Sequence, residues 1–447
     1  MMGRREFLEA GLATGTGFLL AQTSRAEAPA SKPDSDALNV GVIGCGDQGQ
    51  ALVYAGTLIP GVRFRAICDI WDYRRQATKK YLANYKHDVS EYVDYRQMLE
   101  REKDLHAVLI ATPDFVHAEQ TNACLKAGWH VYCEAMMANS IEAARSMVRT
   151  ARETHKLLQI GYQRRSNPRY LYVPAKLLDE AKIVGQLTHV NTQWAHWVSE
   201  ERGWPRKFAI PDDVLRQHGY GSMREFRNWP FFRKYGGGPL GLHVSHQIDV
   251  VNWFLDGPPK SVMAAGGADY HKDRQCHDNV IAVAEYVRDD GVVRAMFQLL
   301  TTTSAGGGQF EHFMGTEGSI RISEQAEWTK IYHEPFAPSW DRLVEMKLLV
   351  KELLPDVQLA LASSKPVDPS VIRSMESRRV TPYNLPFALD KSPCQPHLEN
   401  FFDAVRGRGR LTCPADEAFR SEVLIWKICQ AIEARKTLEL KADDFAA

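Results

Sequence analysis

The chain has 447 residues, 44% of them hydrophobic and 25% charged, a globular composition that excludes a largely disordered or fibrous protein. Lysine plus arginine equals aspartate plus glutamate, 55 against 55, so no basic footprint points to nucleic acid. The length is generous for one core and suits two domains.

In chain order, the first readable element is an address. Arg4-Arg5-Glu6-Phe7-Leu8 precedes a weakly apolar stretch, Ala10 to Ala21, and then Ala26-Glu27-Ala28-Pro29-Ala30 with small residues at alternate positions. The pattern is that of a twin-arginine export signal over residues 1–30, cut near Ala28 or Ala30, with the mature protein in the periplasm. The apolar run is shorter than the about 20 residues a membrane span needs, so no stable span is expected. Cargo of this route folds before it crosses, which allows a nucleotide to be loaded inside the cell. The eight cysteines then need not form a disulfide framework. Cys45, Cys68 and Cys133 fall in or beside apolar strands, where a free thiol behaves as a small hydrophobe, and no paired CxxC metal spacing occurs.

After a polar linker, short apolar strands alternate with helical patterns from Leu38 to about residue 165. LNVGVIG, VRFRAICD, DLHAVLIATP, WHVYCE and LLQIGYQ read as strands, with HAEQTNACLKAG and IEAARSMVRTARETH among the helices. This alternation predicts an α/β Rossmann domain over 38–165, built on a doubly wound parallel sheet. Beyond it the texture changes. QLTHVNTQW, SVMAAGGADY, NVIAVAEYV, VVRAMFQLL and SIRIS read as longer strands, two of them joined by Arg288-Asp289-Asp290-Gly291. They predict a C-terminal α+β domain over 166–440 with an open, mostly antiparallel sheet. Residues 335–395 are proline-rich and irregular, an insertion or surface arm. HLENFFDAVR and ADEAFRSEVLIWKICQAIEAR read as helices, the second able to pack on either domain.

Gly44-Cys45-Gly46-Asp47-Gln48-Gly49 fits GxGxxG, follows a strand, opens a helix, and precedes Asp69 at the end of the next strand. Gly44 permits the tight turn, Gly46 the approach of backbone to a pyrophosphate, and Gly49 close helix packing. The helix start offers amide groups and partial positive charge to the phosphates. Asp69 accepts from ribose hydroxyls and repels a 2′-phosphate, so NAD is expected before NADP, although Arg74 and Arg75 lie nearby.

With VGVIGCGDQG, ATPDFVHAEQTNACLKAGWHVYCE, LLQIGYQRRSNPRY, RNWPFFRKYGGGPLGLHVSHQIDVVNWFLDGPPKSV and MGTEGSIRIS, the chain resembles the Gfo/Idh/MocA oxidoreductases from about Leu38 to the C-terminal helices. The resemblance implies a Rossmann domain followed by a domain whose sheet presents the substrate face and joins many members into homo-oligomers. It implies a carbohydrate substrate and a hydride transfer. By position it assigns Gly44, Gly46 and Gly49 to the pyrophosphate and Asp69 to the adenosine ribose. Ala111, Thr112, Pro113 and His117 would line the nucleotide, Glu134 the nicotinamide ribose, and Gln163 and Arg164 the nicotinamide side. His246 takes the place of the catalytic histidine. Tyr162, Arg165, Trp194, His196 and Asp278 match positions that tend to face the pocket.

Two positions depart. Glu134-Ala135-Met136 stands where the family has Glu-Lys-Pro, and Leu242 where it has an aspartate four residues before the histidine. A cation and an anion are lost together, so neither is left unpaired. His243, three residues before His246 at the start of a helical pattern, shares its face and is the candidate replacement. It also reads as a core or capping residue, and HxxH as two ligands of a metal without an assignable third. Hydride transfer needs a base for the hydroxyl proton, and His246 has an ordinary pKa suited to that role. Outside the cytoplasm free NAD is scarce. A retained cofactor then favours either paired sugar oxidation and reduction, or a redox-neutral glycosidase cycle that departs from the two-carboxylate scheme. A protein that binds NAD and sugar without chemistry is the remaining class.

Overall fold

The computed structural model describes residues 36–196, 201–304, 307–352 and 380–447, so the export segment lies outside the described residues. Six strands form the first sheet: β1 (Leu38–Ile43), β2 (Val62–Cys68), β3 (Ser90–Tyr92), β4 (Ala107–Ile110), β5 (His130–Cys133) and β6 (Leu158–Ile160). Helices α1 (Asp47–Thr57), α2 (Asp72–Asn84), α3 (Tyr95–Arg101), α4 (Asp114–Lys126) and α5 (Ile141–Thr154) connect them in turn. The strand order β3-β2-β1-β4-β5-β6 is doubly wound, and its pairings are parallel. The order reverses beside β1, the crevice where such sheets bind dinucleotides. Every residue of β4 is buried, as expected for a strand covered on both faces.

A 3-10 turn at Gln163–Ser166 and α6 (Pro168–Tyr172), continued by a π-helical turn, lead into the second domain. Its sheet contains β7 (Leu187–Ala195), β8 (Ser261–Gly267), β9 (Asn279–Arg288), β10 (Gly291–Leu300), β11 (Gln309–Gly315), β12 (Gly318–Ile322), β13 (Lys330–His333), β14 (Val350–Lys351), β15 (Thr381–Asn384) and β16 (Leu438–Glu439). Only β7 and β10 pair in parallel; the other neighbours are antiparallel. The Asp289-Asp290 hairpin sets β9 against β10 from Arg288↔Gly291 onward, and β9 alternates buried Val280, Ala282, Ala284 and Tyr286 with outward residues. Between β7 and β8 lie α7 (Asp212–Gln217), α8 (Met223–Arg227) and α9 (Ser245–Phe254), the last preceded by a π-helical turn, Leu240–Val244.

Two expectations change. Part of the irregular stretch 335–395 is ordered into the sheet: β14 and β15 extend its edge, and Trp340, Leu349 and Tyr383 join the core around α10 (Asp341–Glu345). Residues 353–379 lie outside the described residues. Nor do the last helices belong to the second domain alone. α11 (Cys394–Val405) buries Leu398, Phe401 and Phe402 in the first domain's core beside β1 and β2. α12 (Ala415–Ala434) gives Phe419 and Val423 to the first domain and Leu424, Ile425 and Ile428 to the second. All eight cysteines are free, and six are buried.

Candidate active site

The glycine turn is built as its spacing requires. Gly44 has φ +93°, and a Cβ there would stand 2.5 Å from the Ala111 carbonyl oxygen. A Cβ on Gly49 would meet the Gly44 carbonyl oxygen at 1.9 Å, so α1 rests directly on the turn. Gly46 is the reverse case: no atom lies within 4 Å of the Cβ position, which leaves bare backbone at the start of α1. Asp69 accepts from the amides of Cys45 and Trp71, both at 2.7 Å, and so stands fixed beside the turn. Burial raises its carboxyl above the usual range.

Gly44, Gly46, Asp69, Ala111, Thr112 and Pro113 line one end of a cleft of about 600 Å³ between the domains. The bare backbone, the helix start and the anchored carboxylate fit the pyrophosphate and ribose of NAD. Arg75 turns away to the Asp69 carbonyl and Asp72, whereas Arg74 lines the cleft and pairs with Asp47.

The other end is walled by Glu134, Ala135, Gln163, Trp194, Leu242, His243, His246 and Glu324. Ala135 and Leu242 therefore occupy the site itself, with a methyl and an isobutyl group where the family has charges. The Ala135–Met136 peptide is cis. Glu134 accepts from Gln48 Nε2 at 2.9 Å and the Tyr132 hydroxyl at 3.3 Å, and burial raises its carboxyl to about 7. His243 stacks on Trp194 with ring centres 4.6 Å apart and planes 14° apart. His246 meets the edge of Tyr162 at 5.5 Å, and its Nδ1 is buried without a partner. Burial, with Arg164 and His243 nearby, pushes His246 well below the ordinary histidine value. Burial pushes His243 to about 3, with His196 and Arg202 adding to the shift. The expected ordinary pKa of His246 is thus corrected: both imidazoles are uncharged at neutral pH.

Several residues assigned by position lie behind the wall. His117 is buried, its ring nitrogens 2.6 and 2.8 Å from the carbonyl oxygens of Thr112 and Met136, so it braces the two loops that form the wall. Arg164 is buried in ion pairs with Glu311 and Glu324. Arg165 makes a two-pronged pair with Asp249 at 2.7 and 2.9 Å. Tyr162 is fully buried, and Asp278 accepts three backbone amides, from Asp269, Tyr270 and His271. His196, half-buried, follows β7 and is not part of the wall. A charged side chain pointed into the interior needs a partner, and each of these arginines has found one there. Conversely, Gln48, Asp114, Arg202, Arg227 and Glu324 line the cleft without having been singled out for it. Only Gln48 carried a signal, as a member of the glycine motif; the others sit on loops and helix ends that tertiary packing brings in. Among the described residues no group of three or more histidine, cysteine or carboxylate side chains is placed to hold a metal, and no helix is long and apolar enough to cross a membrane.

A Rossmann nucleotide cleft closed by a second domain that contributes histidines defines a nucleotide-dependent oxidoreductase. Residues 38–162 match the family described as an oxidoreductase family with NAD-binding Rossmann fold, and residues 174–321 match the GFO/IDH/MocA C-terminal domain. The chain belongs to the Gfo/Idh/MocA family of NAD-binding oxidoreductases. It is 35% identical over 237 residues to an inositol 2-dehydrogenase of Rubrobacter xylanophilus, covering 52% of this chain and 56% of that one. It is 31% identical over 256 residues to a glycosyl hydrolase family 109 protein of Shewanella sp. (strain ANA-3), covering 50% and 55%. The chain thus spans little more than half the length of these two relatives. Its fold is similar to that of the WlbA dehydrogenase from Bordetella pertussis, crystallised with NADH and UDP-GlcNAcA, at a TM-score of 0.63 and 18% identity over 91% of this chain and 100% of that one.

Proposed function

We propose that this oxidoreductase keeps NAD in the interdomain cleft and acts at a ring carbon of a carbohydrate. One observation carries the reading: His246, His243, Trp194 and Glu134 share a single cleft with the glycine turn. When bound, NAD supplies a hydride acceptor for a substrate carbon, becoming NADH. The chain's residues do the rest. Gly46 and the start of α1 hold the pyrophosphate, and Asp69 the ribose. The Trp194 ring, with His243 stacked on its face, walls the space that a sugar would fill. His246 is uncharged and lines the cleft, so its imidazole is the base for the proton of the reacting hydroxyl.

A second reading is redox-neutral glycoside cleavage, in which the sugar is oxidised and later reduced within one cycle. It is favoured by the likeness to the glycosyl hydrolase family 109 protein and by Ala135 in place of lysine. Such a cycle moves more protons than a single oxidation, and Glu134 and His243 line the same wall to serve them. Protein purified without added nucleotide distinguishes the readings. Sugars that reduce the bound nicotinamide, seen by its near-ultraviolet absorbance, support the dehydrogenase. Aglycone release from aryl glycosides without net reduction supports the glycosidase. No response to any sugar leaves a binding protein.

The Arg4-Arg5-Glu6-Phe7-Leu8 motif supports export through the twin-arginine machinery to the periplasm. Replacing both arginines by lysine should leave the protein in the cytoplasmic fraction. Met263, Ile281, Val287 and Val292 stand exposed on β8, β9 and β10 and support a homo-oligomer formed on that sheet face. Light scattering of wild type and Ile281→Asp tests this, the variant being expected at a lower mass.

A further inference from the structure

Three arginines converge on the nucleotide end of the cleft, and two come from the second domain. Asp47, in the first turn of α1, pairs with Arg74 of α2 and, at 3.0 Å, with Nη1 of Arg202. Arg227, the last residue of α8, lies over the Trp71 ring, 4.8 Å from its centre, and donates through Nε to the Gly203 carbonyl. No carboxylate among the described residues lies within ion-pair distance of Arg227, and the buried Nε of Arg74 has no partner. Burial and the guanidiniums of Arg74 and Arg202 lower Arg227 to about 10, although Asp47 and Asp69 oppose the shift. All three arginines line the cleft, so positive charge exceeds what Asp47 neutralises, at a helix end that is itself positive.

The segment that brings these arginines also forms a roof. Residues 201–235 pack Ile210, Leu215, Tyr220, Met223, Phe231 and Phe232 against Trp71, with Tyr73 and Phe115 at the margin, in one apolar cluster that crosses from domain to domain. Trp71 Nε1 donates to the Phe208 carbonyl at 2.6 Å, which ties the roof down at its centre.

We propose that Arg74, Arg202 and Arg227 clamp the pyrophosphate of the dinucleotide, and that docking of residues 201–235 on Trp71 closes the clamp and retains the cofactor between turnovers. The proposal rests on the NAD reading above. Asp47 holds Arg74 and Arg202 in place, and the phosphate oxygens take the donors it leaves free.

The test is the rate at which bound nucleotide leaves. Wild type, Arg202→Gln, Arg227→Met and Arg206→Gln are loaded with NAD, desalted and followed for released nucleotide, with unfolding curves taken in parallel. Arg206 lies on the same segment but is exposed and outside the cleft, so its variant is the control. Loss of one charge-assisted contact should speed release by about tenfold or more in Arg202→Gln and in Arg227→Met, with the control unchanged. Should Arg227→Met fail to fold, Arg202→Gln and the acceleration of wild-type release by added salt carry the test. Release from folded variants as slow as from wild type overturns the clamp and leaves the NAD reading standing. Variants that lose affinity for NADP but not NAD overturn the pyrophosphate assignment in favour of a 2′-phosphate site. A wild-type protein that binds neither nucleotide overturns both readings.

Discussion

The imidazole of His243 lies flat on the indole of Trp194, 4.6 Å between ring centres and 14° from parallel. The two residues come from different elements, the π-helical turn before α9 and the end of β7, so the stack fixes the histidine face of the cleft to the sheet. If His243 moves a proton, His243→Phe and His243→Ala should lose turnover alike, since neither has a ring nitrogen. Their stabilities should differ, with Phe keeping the stack and Ala costing about 1–2 kcal/mol. Turnover retained in the phenylalanine variant would reduce His243 to a packing residue.

Within the cleft, burial raises the Glu134 carboxyl to about 7, while His246 is held well below its ordinary value. The rate of sugar oxidation between pH 5 and 9 should therefore show an inflection near 7 that disappears in Glu134→Gln. An inflection that survives this substitution assigns the titration to another group.

Gly46 and Gly49 should differ in what an added methyl group does to stability. Gly46→Ala meets no atom of the chain and should unfold with wild type, yet it intrudes on the space of the pyrophosphate and should weaken NAD binding by about tenfold or more. Gly49→Ala drives a carbon into the Gly44 carbonyl oxygen and should cost about 1–3 kcal/mol of stability as well as binding. Paired melting curves and nucleotide titrations check both.

Glu422 of α12 accepts from the amides of Met137 and Ala138 and the Trp426 indole, and burial raises its carboxyl to about 7. The folded state then holds the proton more tightly than the unfolded state. This contribution is complete below the unfolded pKa and is lost as pH rises through 7, about 3 kcal/mol in all. Glu422→Gln should consequently gain on wild type between pH 5 and 8. An equal difference in melting temperature at both values would show that the carboxyl does not titrate in that window.

The sequence carried the backbone of the site better than its side chains. Alternating strands and helices, the GxGxxG turn and Asp69 depend on local spacing, and each is found where that spacing put it. Ala135 and Leu242 were readable as missing charges because their neighbours fixed the register. Position alone could not say which way a side chain turns. Arg164 and Arg165 left the cleft for Glu311 and Asp249, residues 147 and 84 positions away, and no periodicity encodes such a pair. The same holds for Glu324, which reaches the wall from the end of β12 through Gln163 at 3.1 Å. β14 and β15 escaped notice because they have only two and four residues in a proline-rich stretch, too few to show a period of two.

One helix near the C-terminus completes the hydrophobic interiors of both halves of the molecule. While the chain is being made, the nucleotide half is exposed along the seam that α11 and α12 later cover, so neither half can be finished before these helices have been synthesised. The order of assembly is therefore not the order of translation. The dinucleotide pocket, encoded first, rests on a core that is completed by helices encoded far downstream.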